Sequence, residues 1–240
     1  MIPRFFCPFP LHPGATVELA AAAAHHGLKV LRVGAGDAAI LFDGHGGQWL
    51  ATLHPAGKSL RATLHEFDAV DREAPLTLTL VQALPASDKM DFVVQKATEL
   101  GVSRIQPVLA KRSVIRLSGE RAERRAEHWR NISIAACEQC GRNRVPVIGE
   151  VRPFSDWLSR ADATAAHKLV LSVGPSALPL LQIAGRNPQA VLLLSGPEGG
   201  LSPAEEEQAL TGGFAAVSLG PRILRAETAP IAALAALTLD

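Results

Sequence analysis

At 240 residues the chain can bury one large core or two small ones, and 48% hydrophobic with 20% charged residues excludes a disordered protein. No apolar run reaches the roughly 18 residues needed to cross a bilayer; Met1-Ile2-Pro3-Arg4 does not open a secretory signal, so the expected compartment is the cytoplasm. The net charge of +1 argues against a uniformly basic surface, yet Arg104 to Arg144 holds ten basic residues against four acidic ones. That stretch suits either a phosphate-tracking face or a solvated helix, in which Glu120 and Arg124 would pair four residues apart.

Taken in order, the first 70 or so residues read as β-rich. A helical stretch near Val17 to His25 leads into a short strand at Val30 to Val33. Ala38 to Phe42 and Gln48 to Leu53 flank Asp43-Gly44-His45-Gly46-Gly47, a hairpin signal, and a further strand is expected at Leu60 to Phe67. Short strands spaced this way predict a small barrel. Gly34-Ala35-Gly36-Asp37 hints at a nucleotide fingerprint, but a strand follows where a helix is required, so it reads as a turn. Asp71 to Pro75 is the best linker candidate.

Beyond Pro75 the pattern becomes strand alternating with helix. Leu76 to Val81 is a strand; Met90, Val93, Val94 and Ala97 then mark one face of a helix that ends at Gly101. A strand at Ile105 to Leu109 precedes a long helix from about Glu120 to Gln139, with Trp129 in its core face. Lys168 to Val173, Ala190 to Leu194 and Ala215 to Leu219 read as buried strands, separated by helices near Leu178 to Ala184 and Pro203 to Leu210. Ser202 and Pro203 supply the N-cap and first position of the latter. Such alternation implies a parallel sheet with helices on both faces. Cys137 and Cys140 form a lone C-x-x-C at the end of a helix; no second pair completes a zinc set, so they read as reduced thiols and no metal is expected.

In open α/β sheets ligands bind beyond the carboxyl ends of the strands. Two loops in those places are unusual. Ser195-Gly196-Pro197-Glu198-Gly199-Gly200-Leu201-Ser202 carries three glycines, which let backbone approach a ligand closely, where a plain connection needs one. Leu219-Gly220-Pro221-Arg222-Ile223-Leu224-Arg225-Ala226-Glu227-Thr228 sets two apolar residues between arginines; it suits a planar ring beside an anionic group, or a helix start with snorkelling arginines.

The segments LLLSGPEGGLSPAE and LGPRILRAETA resemble the two cofactor loops of the SPOUT methyltransferases. More narrowly, the chain is similar to the RsmE family, which methylates N3 of a uridine in the decoding region of 16S ribosomal RNA. PRFF, HHGLKVLRVGAGDAAILFDGHGG, KMDFVVQKATELGVSRIQPVLAKRS and CEQCGRNRVP match family segments in the same order. The resemblance implies an α/β fold: a SPOUT-type parallel sheet with a C-terminal trefoil knot over residues 76–240, preceded by a PUA-like RNA-binding β-barrel over residues 1–71. Composition does not reveal a knot, and chain physics alone argues against one.

By position, the resemblance implies S-adenosylmethionine contacts at Ser195, Gly196, Pro197 and Gly199, then Leu219, Gly220, Ile223, Leu224, Ala226 and Thr228, with Val173 and Gly174 as a third group. Uracil N3 must lose a proton, so Glu138, Arg142, Glu198 and Arg225 are the catalytic candidates, the arginines steadying negative charge on the ring. Glu138 can equally cap its helix or pair with Arg142. Arg4, Arg32, Lys89, Lys96, Arg112 and Arg142 are the expected RNA contacts, and His25 and His26 take a structural or RNA-facing role. The implied partners are 16S ribosomal RNA within the small subunit and a second copy of the chain, with Pro230 to Leu239 covering the dimer interface or its own sheet. Two alternatives stay open: an inactive RNA-binding factor, and a SPOUT enzyme acting on another base or a ribose.

Overall fold

The computed structural model describes residues 2–160, 167–185 and 188–239. The chain falls into two units, Met1–Glu73 with Ile134–Val145, and Ala74–Ser133 with Pro146–Asp240.

In the first unit β1 (Arg4–Phe6), β2 (Thr16–Glu18), β3 (Ala38–Phe42), β4 (Gln48–Ala56) and β5 (Ser59–Asp68) form a mixed sheet in the order β1-β3-β4-β5-β2. β1 lies parallel to β3, and the other neighbours are antiparallel. Strand side chains alternate between faces, which puts Leu41, Leu53, Leu60 and Leu64 into one core with Phe5, all 0–1% exposed. Among the described residues the sheet order begins and ends in three-residue strands, β1 and β2.

Residues 17–33 depart from expectation. Val17 is in β2, opposite Ala62, where β-branching suits a strand. Helix α1 is confined to Ala21–His25, and the chain then widens into a π-helical turn over His26–Leu31 where a strand was expected. Arg32, at φ +56°, closes that turn. Gly27 is required there, because a Cβ would stand 2.8 Å from Leu60 Cδ2.

By its contacts Ile134–Val145 packs with this first unit, although it lies within residues 76–240 of the sequence. Gly46 N donates to Asn143 O (3.2 Å) and Val145 N to Gly44 O (3.3 Å), docking the segment on the β3–β4 turn. Arg4 donates to Gln48 Oε1 (2.7 Å), Asn143 Oδ1 (2.6 Å) and Arg142 O (3.2 Å). Arg142 in turn grips Glu73 through Nε (3.0 Å to Oε1) and Nη2.

The second unit holds β6 (Thr77–Ala83), α2 (Ser87–Glu99), β7 (Arg104–Leu109), α3 (Gly119–Cys140, whose last turns belong to the first unit), β8 (Val147–Ile148), β9 (Arg152–Pro153), α4 (Phe154–Leu158), β10 (His167–Leu171), β11 (Leu178–Pro179), α5 (Leu180–Ala184), β12 (Ala190–Ser195), α6 (Pro203–Thr211), β13 (Ala215–Ser218) and α7 (Thr228–Thr238). The sheet order is β11-β13-β10-β12-β6-β7-β8, with β9 also on β7, and every pairing is parallel. Its strands read as continuous apolar runs because both faces are buried. Leu80, Leu169 and Leu193 pack with α2, α5 and α7; Val81, Val170 and Leu194 pack with Phe154 and Trp157 of α4 and Ala209 of α6. Pro230, Ala233 and Leu234 of α7 are buried here, so much of the apolar C-terminal segment covers its own sheet. No described helix is long and apolar enough to cross a membrane.

The Arg142–Glu73 pair is the clearest stability test of the first unit, since the Arg142 side chain is 5% exposed and Glu73 17%. Removing one partner of a buried pair typically costs ~3–5 kcal/mol by stranding the other charge. Glu73→Ala should therefore lower the thermal midpoint by roughly 6–12 °C, read by circular dichroism; a shift under about 2 °C would show that water replaces the carboxylate at no cost.

Candidate active site

The carboxyl ends of β10, β12 and β13 open on a cleft of about 500 Å3 within the second unit. Its walls are Ser172 to Gly174 after β10, Ser195 to Leu201 after β12 and parts of Leu219 to Ala226 after β13. A volume of this size takes a cofactor-sized molecule.

The β12 loop is held in shape by its own backbone. Gly200 N donates to Pro197 O at 2.8 Å, with Gly200 at φ +68°. At Gly196 a Cβ would lie 3.0 Å from Leu201 N and 3.1 Å from Gly200 Cα, so no larger residue fits without moving the loop. Side chains from neighbouring elements then fix its carbonyls: Gln82 Nε2 donates to Gly196 O (3.2 Å), and Arg112 Nη1 to Gly199 O (2.8 Å) and Leu201 O (3.2 Å).

Two carboxylates anchor the loop at its sides. Glu198 accepts from Ala86 N (2.9 Å) and pairs with Lys89 (3.2 Å). Burial pushes the Glu198 carboxyl up, but the Ala86 and Lys89 hydrogen bonds outweigh it and hold the group below the usual carboxylate range. Glu205 closes a capping box with Ser202 at the start of α6 and accepts from Lys111 N at 2.7 Å. Its carboxyl too lies low: burial raises it, and hydrogen bonds from Ser202 and Lys111 more than reverse that.

On the β10 side, Ser172 Oγ donates to Glu206 Oε1 and accepts from Gly174 N at 3.0 Å. In the β13 loop, Arg225 O accepts from Thr228 N (3.0 Å) and Ala229 N (2.9 Å), the bonds that begin α7. Val173 and Ile223 leave 79% and 84% of their surface exposed, an unusual cost for apolar side chains that both border the cleft. The cleft thus offers apolar side chains, backbone polar groups and the acids Glu198 and Glu206 beside Arg112 and Arg222. That mixture suits a flat molecule of mixed charge better than a polyphosphate. Among the described residues no group of three His, Cys, Asp or Glu is placed to hold a metal ion.

All the residues expected to touch cofactor line the cleft except Thr228, which is the first residue of α7. Ser172, Glu206, Val217 and Arg222 line it without having been singled out; the strand-end position of Ser172 was the only signal in the sequence for that residue. Of the four catalytic candidates, Glu198 and Arg225 belong to the unit that holds the cleft. Glu198 lines the cleft but is committed to Ala86 and Lys89. Arg225 is exposed at the β13 loop and does not line it. Glu138 and Arg142 belong to the first unit and are engaged there. Glu138 Oε1 accepts from Phe6 N at 2.9 Å, and burial raises its carboxyl above the usual range against the pull of that bond, His26 and Arg4. Arg142, 4% exposed, is locked to Glu73.

The expected RNA contacts divide likewise. Arg32 is exposed. Arg4 is spent on Gln48 and Asn143, Lys89 on Glu198 and Glu227, Lys96 on Glu99 (2.7 Å), and Arg112 on the β12 loop. Long flexible cations are drawn to nearby carboxylates and carbonyls, which sequence position does not reveal.

Residues 72–238 match a family model described as an RNA methyltransferase domain, and residues 19–64 match an RNA methyltransferase PUA domain. The ribosomal RNA small subunit methyltransferase E of Bacillus subtilis (strain 168) is 33% identical over 220 residues, 89% of this chain and 86% of that protein. The protein of the same name from Buchnera aphidicola subsp. Schizaphis graminum is 32% identical over 98% of this chain and 95% of its own length. A crystal structure of the Neisseria gonorrhoeae ribosomal RNA small subunit methyltransferase E, bound to S-adenosyl methionine, is 40% identical, with a TM-score of 0.89 over 98% of this chain and 96% of that one. With an α/β parallel sheet, a strand-end cleft and relatives matching along nearly its whole length, this chain belongs to the ribosomal RNA small subunit methyltransferase E family of RNA methyltransferases.

Proposed function

We propose that this chain uses S-adenosylmethionine to methylate N3 of a uridine in the decoding region of 16S ribosomal RNA. The observation that carries the cofactor assignment is the strand-end cleft, lined by the glycine-rich β12 loop, whose tight turn at Gly196 leaves no room for a Cβ, together with the exposed apolar Ile223 and Val173. Backbone groups of Ser195 to Gly199 and Leu219 to Ala226 would hold the adenosine, and the acids Glu198 and Glu206 suit its positive groups. When bound, S-adenosylmethionine supplies a methyl group made electrophilic by its sulfonium.

The chain's own contribution is positioning and charge. Arg225, exposed beside the cleft loop and fixed through its carbonyl to the first turn of α7, steadies the negative charge that uracil gains as N3 loses its proton. The first unit, with Arg32 at its surface, grips RNA in this reading. A second copy of the chain, an assembled small subunit as substrate and a cytoplasmic location complete it. The reading includes a C-terminal trefoil knot, as the resemblance to the SPOUT methyltransferases implies.

Mass mapping of 16S RNA from cells lacking the gene, before and after adding the protein back, tests the substrate: one uridine should regain 14 mass units, about the mass of a methylene, at N3, and a ribose or other base would redirect the reading. Gly196→Ala should weaken S-adenosylmethionine at least about tenfold by calorimetry, with the fold retained, because the loop must shift to admit the methyl. Arg225→Ala should cut turnover about a hundredfold and leave cofactor affinity intact; equal losses in both would move Arg225 into the cofactor site. Glu138→Gln discriminates base from strut. A carboxyl whose folded value is raised stabilises fully below its unfolded value near 4.5, and that contribution is lost as pH rises through the folded value. The glutamine keeps the acceptor for Phe6 N without the charge, so between about pH 4 and 8 it should lose less stability than the parent, with turnover within about twofold.

A further inference from the structure

Strands β12 and β13 are not neighbours, since β10 lies between them, yet their two loops form one cleft. A single side chain spans both. Lys89, in the first turn of α2, places its ammonium 3.2 Å from Glu198 Oε1 in the β12 loop and 3.6 Å from Glu227 Oε2 in the β13 loop. The three side chains are 24%, 27% and 24% exposed, so this is a half-sheltered cluster and not a solvated surface pair. Glu198 Oε1 also accepts from the backbone N–H of Ala86, the N-cap of α2, which ties the same carboxylate to the same helix end. Glu227 Oε2 is shielded from solvent and accepts no hydrogen bond among the described residues, so the Lys89 charge is what offsets it there.

From this geometry we propose that Lys89 is a positioning residue of the cofactor site: one cation holds both loops against the start of α2 and sets the gap between them. The proposal rests on the S-adenosylmethionine reading of the cleft and reassigns a lysine expected to meet RNA. An exposed ion pair contributes little, because two long side chains lose freedom for one contact. Here one immobilised lysine serves two carboxylates, and Ala86 N has already oriented the first. A compact ammonium with three donors can face two acceptors at different angles, which a planar guanidinium cannot do in the same space. Lys89 does not line the cleft; its effect reaches the cofactor through Glu198, which lines it, and through Glu227, next to Ala226, which also lines it.

The test uses the full-length protein with Lys89→Met, which keeps the apolar stem and removes the charge. Without ligand, amide exchange should quicken in both Ser195–Ser202 and Leu219–Thr228, with β6 and β7 unchanged. S-adenosylmethionine titrated by calorimetry should bind about five- to tenfold more weakly, Lys89→Arg should recover part of that loss, and Lys89→Met with Glu198→Gln should lose less than the sum of the single changes. Unchanged exchange in both loops overturns the clamp, as does faster exchange confined to α2. Weaker RNA binding with cofactor affinity and loop exchange intact overturns it in favour of an RNA contact. Should the parent protein itself fail to bind S-adenosylmethionine, the cofactor reading falls, and the exchange result still decides whether Lys89 joins the loops.

Discussion

The site depends on one constraint: every strand of the larger sheet runs the same way, so all carboxyl ends emerge at one edge. Val170 is level with Leu194 and Leu171 with Val217, which ends β10, β12 and β13 at nearly the same height. Ser172 N still donates to Val217 O at 2.9 Å, carrying the ladder one step past β10. Three loops must then leave side by side. Parallel strands cannot be joined by tight hairpins, so these connections are long enough to be shaped for a ligand, and the crevice between them follows from topology before any side chain is chosen.

What the neighbouring groups add is rigidity. Gln82 and Arg112 hold the β12 loop by its carbonyls, and the backbone N–H groups of Ala86 and Lys111 hold Glu198 and Glu205 at its sides. A loop fixed this way needs little reordering when a ligand enters, and unspent ordering entropy appears as affinity. The low carboxyls of Glu198 and Glu205 belong to the same design, since each is ionised in order to accept hydrogen bonds. Both contributions are present above the ordinary carboxylate value near 4.5 and are lost as pH falls through the lower folded values.

Legibility in the sequence follows how local each cause is. Strands β6, β7, β10, β12 and β13 were readable because burial on two faces leaves continuous apolar runs, and α6 because Ser202 and Pro203 mark a helix start within the segment itself. The glycines of the β12 loop and the apolar Ile223 were readable as a ligand site for the same reason. The π-helical turn after α1 was not, because Gly27 is dictated by Leu60 and Phe5, which lie far along the chain. Nor was the recruitment of Ile134–Val145 to the first unit, which depends on Arg4, Gly44, Gly46 and Glu73 meeting residues 69 to 139 positions away.

The partners of charged residues are the least legible feature of the local sequence, and they follow a physical pattern. Of the cations expected to meet RNA or uracil, those with an acid or an unpaired carbonyl within reach have taken it: Arg4, Arg142, Lys89, Lys96 and Arg112. A lysine or arginine carries its charge on a stem long enough to find such partners from many backbone positions. Arg32 and Arg225 are exposed where backbone geometry turns the chain outward: Arg32 closes a π-helical turn at positive φ, and Arg225 follows Ile223 and Leu224 in the loop after β13. Charge identity alone therefore says little about a binding face. Cations on chain reversals are the ones left to meet an external anion, and in this molecule Arg225 shares the β13 loop with Arg222, which lines the cleft.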